Sequence, residues 1–169
     1  MIRVRLLTGM ALLIATAGAG FAQDNPRGEL YLGYPLLAGF HGSAAVNINR
    51  WFGIVGDYSY RVAEYYADKP LHTFGVGPRL AVRSIPRVTP FAHALFGGAG
   101  SGCAGWSNSA GCQFGTSFAM VLGGGVDVRL GRHLSIRAIQ LDRIRTSFGG
   151  GNQNYNALSF GLTFRLGKI

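Results

Sequence analysis

The sequence predicts an all-β fold: an eight-stranded antiparallel transmembrane barrel, wound as an up-and-down meander. Three observations carry this expectation. Apolar residues alternate with small or polar ones at period two along most of the chain. The connections between the alternating segments are mostly short and long by turns, as in barrels that cross a membrane. The face opposite the apolar one is Gly, Ala and Ser with isolated charges, which suits the crowded interior of a small barrel.

The strands are expected at about 28–37, 41–49, 52–62, 71–83, 89–100, 115–130, 134–147 and 155–167. In the first, Leu30, Leu32 and Tyr34 oppose Glu29, Tyr31 and Gly33; in the second, Ala44, Val46 and Ile48 oppose Ser43, Asn47 and Asn49. The third sets Phe52, Ile54, Tyr58 and Tyr60 against Gly53, Asp57, Ser59 and Arg61. The fourth sets Phe74, Val76, Leu80 and Val82 against Thr73, Gly75, Gly77, Arg79 and Arg83. The fifth has apolar residues on both faces between Thr89 and Gly98, which leaves the side of His93 open. The sixth places Phe118, Met120, Leu122, Val126 and Val128 opposite Gly123, Gly125, Asp127 and Arg129. In the seventh, Arg137 and Asp142 have opposite parity, so either a bulge shifts the register or one charge sits near an interface. The eighth is the cleanest: Leu158, Phe160, Leu162, Phe164 and Leu166 oppose Ala157, Ser159, Gly161, Thr163 and Arg165. Strands of this length can cross the hydrocarbon, for which about 9–11 tilted residues suffice. Connections at 49–51, 84–88 and 131–133 are short; those at 61–71, 100–115 and 147–155 are longer, and the short one at 37–41 is the exception. The competing reading is a soluble β-sandwich or lipocalin-like barrel. Its polar face would carry many Lys, Glu and Asp, whereas this chain is only 14% charged and has two lysines.

Length and composition agree. The 169 residues allow one domain; 48% are hydrophobic, the net charge is +9, and there are 27 glycines without a period of three. Disorder, a collagen-like repeat and a long coiled coil are excluded by sparse charge, aperiodic Gly and broken heptads. Residues 1–22 read as a cleaved signal peptide: Arg3 and Arg5, an apolar run from Leu6 to Ala17, then small residues at Gly20 and Ala22. The apolar run is short for a membrane anchor, which needs about 20 residues. The barrel domain is then 23–169. The positive charge is spread as single arginines with no adjacent run, and the chain is exported, so nucleic acid is not an expected partner.

Inside such a barrel, Glu29, Asp57, Arg79, Asp127, Arg129 and Arg165 would form a luminal charge network, because buried charges persist only when paired. An eight-stranded barrel encloses a space that side chains fill, so an open pore is not expected; a narrow ion path is the alternative. Arg50, Arg87 and Arg132, one in each short turn, are candidates for periplasmic lipid headgroup contacts, or are ordinary solvated turn residues. Lys168 lies near the same end. Arg143 and Arg145 lie toward the opposite rim, where lipid phosphates are also in reach. Tyr31, Tyr34, Tyr58, Tyr60, Tyr65, Tyr66 and Tyr155 fall toward one end, and Trp51 and Phe91 toward the other, as interfacial girdles would. Cys103 and Cys112 are expected to form a disulfide in an exported chain. That bridge would staple an outer loop presenting Trp106, the candidate interaction residue.

Catalytic and cofactor signals are weak. His133-Leu134-Ser135 has the spacing of a lipid A deacylase, but His133 sits in a short turn and Asp142 is far along the strand. Gly123-Gly124-Gly125 and Gly97-Gly98-Ala99-Gly100 lack the helix and Lys of a phosphate loop. No metal site, cofactor or catalytic residue is assigned.

Leu32-Gly33-Tyr34, Gly75-Val76-Gly77-Pro78-Arg79, the segment from Pro90 to Gly98 and the closing Ser159–Gly167 together resemble the small eight-stranded outer-membrane β-barrel family, which includes the OmpA transmembrane domain and OmpX-like proteins. The resemblance covers the chain after the leader. It departs at the end, where Phe164 is followed by five residues instead of closing the chain. It implies a monomer in the bacterial outer membrane, in contact with outer-membrane lipids. The expected role is non-enzymatic: envelope integrity, or interaction with an extracellular or surface ligand through the outer loops. A lipid A-modifying enzyme and a small-solute channel are the alternatives.

Overall fold

A computed structural model describes residues 25–36, 38–61, 71–101, 115–148 and 151–167. The strands are β1 (Gly28–Pro35), β2 (Gly39–Asn47), β3 (Phe52–Arg61), β4 (Leu71–Ala81), β5 (Val88–Ser101), β6 (Gly115–Arg129), β7 (Leu134–Phe148) and β8 (Gly151–Leu166). Each pairs antiparallel with the next, and β1 returns to β8, from Gly28 opposite Leu166 to Pro35 opposite Ser159, so the sheet closes on itself. Closure leaves no strand edge, the condition for placing a sheet in lipid, where unpaired backbone groups find no hydrogen-bond partner. Among the described residues no helix is long and apolar enough to cross a membrane.

The pleat sorts the side chains as the alternation requires. Leu32, Phe74 and Phe118 stand outward with 51%, 60% and 64% of their surface exposed. Glu29, Thr73, Arg79, Asp127 and Thr163 point inward and are buried. A soluble sandwich would do the reverse, packing its apolar faces together and hydrating its polar ones. The soluble reading therefore fails on the direction of the side chains.

Several expectations are corrected. β8 starts at Gly151 rather than 155, and β7 runs to Phe148, so most of the expected loop at 147–155 is paired strand. Its Asn- and Gln-rich text resembles a loop because it lies beyond the apolar band. β1 ends at Pro35, β2 spans Gly39–Asn47 and β4 ends at Ala81, each offset by about two residues from expectation. In β5, Phe91, His93, Leu95 and Ala99 are buried on one face, which places His93 inside. In β7 a register shift falls between Arg137 and Gln140, where Ala138 and Ile139 are both exposed. This bulge brings Arg137 and Asp142 to the same, inward face despite their opposite parity.

The girdle expectation also changes. Tyr31 and Phe91 are buried in the interior, and Tyr155 packs against the inner apolar cluster. Tyr34 and Tyr58 do face outward, and Tyr58 Oη lies 2.9 Å from His72 Nδ1 while the Tyr60 ring lies 4.9 Å from that of His72. Trp51 is exposed at the other end. Tyr65, Tyr66, Cys103, Trp106, Cys112, Lys168 and the expected leader lie outside the described residues.

Candidate functional site

The interior holds a continuous column of bonded side chains to which six of the eight strands, β1, β2 and β4 to β7, contribute. It starts at the turn end. Asn47 donates to the Pro26 carbonyl at 2.9 Å and to Glu29 at 3.2 Å. Glu29 then accepts from two arginines: Arg83 at 2.8 Å and Arg79 in a close ion pair. Arg83 also donates to the Asn47 amide oxygen at 2.9 Å and to the Arg50 carbonyl at 2.8 Å. Arg79 reaches across to Asp127 at 3.1 Å. Arg137 approaches the same carboxylate from the other side, with Nε at 2.7 Å and Nη2 at 3.1 Å. This fork is the two-point geometry in which arginine holds a carboxylate most firmly.

From Arg137 the column continues outward. Arg137 donates to Gln140 at 2.7 Å, Gln140 donates to Asp142 at 2.8 Å, and Asp142 lies 3.0 Å from His93 Nε2. The arginines are also stacked. The Phe91 ring centre lies 4.4 Å from the Arg79 guanidinium and 4.2 Å from that of Arg137. Arg137 lies 4.1 Å from the Tyr31 ring centre, and Tyr31 meets His41 edge-on at 5.1 Å. Stacking on an aromatic face partly replaces the hydration a buried guanidinium loses. One inward position nearer the loop end, Leu95, Val121, Ile144 and Ala157 join the apolar cluster with Tyr155. Charged column and apolar layer together fill the bore.

Glu29, Arg79 and Asp127 stand in one network. Arg129 and Arg165 face inward near the turn end, and neither is without a partner. Asp57 departs from the expectation: it pairs with His41 at 2.7 Å rather than with an arginine. Arg83, Arg137, Gln140, Asp142, His41 and His93 were not assigned from sequence. For Arg137 and Asp142 the signal was present in the broken parity of β7. Arg83 shares the parity of Arg79. Arg50 is exposed with its guanidinium 5.2 Å from the Trp51 ring, Arg132 is exposed, and Arg87 is half-buried with a left-handed backbone, φ 68°.

The catalytic spacing at 133–135 does not assemble a relay. His133 is exposed and directs Nδ1 to the Arg165 carbonyl at 3.3 Å, while Ser135 is buried in the lumen and Asp142 is held by His93. A different serine, histidine and aspartate do line up: Ser159 Oγ lies 3.0 Å from His41 Nδ1, and His41 Nε2 lies 2.7 Å from Asp57. His41 is 0% exposed and Ser159 1%, beneath the Tyr31 ring. A nucleophile needs room for the attacked carbonyl beside it; this trio is enclosed and acts as a brace between β2, β3 and β8. Among the described residues no group of three or more His, Cys, Asp or Glu could hold a metal ion.

A closed eight-strand barrel with an apolar exterior and a charged, filled interior defines a membrane-spanning β-barrel. The chain belongs to the outer membrane protein beta-barrel domain family, whose model matches residues 8–165. It is a protein of the bacterial outer membrane. Solved structures that share its fold include the following two. Neisserial surface protein A is 16% identical, with 82% of this chain and 93% of that one covered and a TM-score of 0.57. The N-terminal β-barrel domain of Pseudomonas aeruginosa OprF is 13% identical, with 81% and 93% covered and a TM-score of 0.52. No curated protein matches the sequence significantly.

Proposed function

We propose that this protein is a non-enzymatic, monomeric outer-membrane barrel that supports the envelope and meets surface ligands through its outer loops. The observation that carries this reading is the bonded column that fills the lumen from Asn47 to His93. A filled bore leaves the loops and the membrane-facing wall as the surfaces available for a role. Barrels of this kind turn their short connections to the periplasm and their longer ones outward. The stretches 62–70 and 102–114 then belong to the outer side. The second carries Trp106 between Cys103 and Cys112, which we propose to be disulfide-linked there. Loops on a rigid scaffold commonly carry binding. At the other end, Arg50, Arg87 and Arg132 are proposed to meet anionic headgroups of the inner leaflet.

Complementation tests the reading. A strain lacking the protein should take up more of a hydrophobic fluorescent dye and adhere less to an abiotic surface. The full chain should restore both properties. A variant with 102–114 replaced by a two-residue turn should fold, shown by heat-modifiable gel migration, yet fail to restore adhesion. A changed lipid A acyl pattern on expressing the full chain would contradict the non-enzymatic reading.

A further inference from the structure

The membrane-facing surface of the strands has one charged patch among the described residues, and no described residue supplies a counter-charge for it. All four described carboxylates, Glu29, Asp57, Asp127 and Asp142, face the lumen and are bonded there. Arg143 and Arg145, beyond the bulge, stand outward on β7 and are exposed. Neither has an ion pair or hydrogen bond among the described residues.

The patch lies where the apolar band stops. Leu141 and Leu158 are cross-strand partners on the outside of β7 and β8. The next outward pair toward the loop end is Arg143 with Asn156, and the one after it Arg145 with Asn154. Both asparagines are exposed. On the other flank, Leu122 pairs with Arg143 and Met120 with Arg145. Each arginine therefore has an apolar neighbour for its stem and an amide beside its head. Directly opposed side chains on one face of a sheet are in mutual reach. Two guanidinium groups and two carboxamides form a dense set of N–H donors without a carboxylate nearby among the described residues. Such a set suits a tetrahedral oxyanion, and arginine's planar fork matches phosphate oxygens in particular. An arginine on the lipid face of a barrel is costly at depth and less so toward the headgroups, so its partner is expected at headgroup level. With the short turns in the periplasm, that level is the outer leaflet.

We propose that Arg143, Arg145, Asn154 and Asn156 form a binding site for the phosphate of an outer-leaflet glycolipid of the lipid A type, its acyl chains lying along Leu122, Leu141 and Leu158. The site is on the outer wall, independent of the loops and of the luminal column.

Native mass spectrometry of the folded, detergent-solubilised full chain, titrated with bisphosphorylated lipid A, tests this. Affinity should fall about thirtyfold in R143Q/R145Q, the loss of two basic residues at a membrane surface. It should be unchanged within error in R27Q, which removes a charge at the opposite end. Lipid A stripped of phosphate should bind the wild type as weakly as bisphosphorylated lipid A binds the double variant. N154A/N156A, which changes no charge, should weaken binding several-fold; it keeps the test open should the arginine variant not fold. Equal affinity in wild type and both double variants would overturn the proposal, as would full binding of dephosphorylated lipid A. Displacement of the lipid by equimolar inorganic phosphate would also overturn it, by showing a site for free phosphate rather than for a lipid headgroup.

Discussion

Replacing Asp127 with Leu is expected to destabilise the barrel by about 3–5 kcal/mol, because it strands one buried arginine and takes a carboxylate from a second. Asp127 accepts from Arg79 at 3.1 Å and from Arg137 at 2.7 and 3.1 Å. Arg79 would keep Glu29, but Arg137 would lose its only carboxylate among the described residues. Removing both members of the central pair in D127L/R137L should recover much of the loss, since an apolar replacement leaves no uncompensated charge there. Urea titration in detergent micelles, with the folded fraction read from heat-modifiable gel migration, gives the three free energies. A cost below about 1 kcal/mol for Asp127→Leu, the scale of an exposed ion pair, would mean that the lumen is hydrated and the column screened.

The second large effect is expected at Gly123. It sits on β6 beside the His93–Asp142 pair. A Cβ built there would fall 1.9 Å from Asp142 Oδ1, 2.8 Å from His93 Nε2 and 2.8 Å from the Leu141 carbonyl oxygen. Two of these atoms can swing away only by breaking their own ion pair, and the third is strand backbone. Gly123→Ala should therefore cost about 2–3 kcal/mol, from overpacking plus a disturbed buried polar pair. In a background where His93 and Asp142 are both Ala the cost should fall, leaving the part owed to the Leu141 carbonyl. Gly56→Ala is the matched control: nothing lies within 4 Å of its added Cβ, and the change should be near neutral. Equal effects at Gly123 and Gly56 in the same urea titration would contradict the packing described for the lumen.

Both predictions rest on residues whose placement was only partly legible in the sequence. Parity is legible in β8, where one face is apolar and the other small or polar, because a one-residue slip there would turn every apolar side chain inward. It was unreadable in β5, since the lumen itself holds apolar residues; Phe91 and Leu95 erase the contrast that would have placed His93. In β7 the bulge at Ala138 and Ile139 changes which parity faces inward, so only the pairing register shows that Arg137 and Asp142 belong to one network. Composition misled at the start of β8, where Asn152, Gln153 and Asn154 resemble a loop but are paired with β7. Glu29, Arg79 and Asp127 could be grouped because charges of both signs shared one face of a buried surface. Which of them touch, and that Asp57 turns to His41 instead, depends on the shear of the closed barrel, which no local pattern encodes.

The lumen is closed by side chains from Asn47 through Glu29, Asp127 and Arg137 to His93. Planar-bilayer recording of the purified full chain tests this most directly. The wild type is predicted to give no stable unitary conductance, while a variant emptied of Phe91 and Arg137, F91A/R137A, should pass current if it folds. Reproducible steps of constant amplitude from the wild type would contradict the closed column and put the small-solute channel in first place.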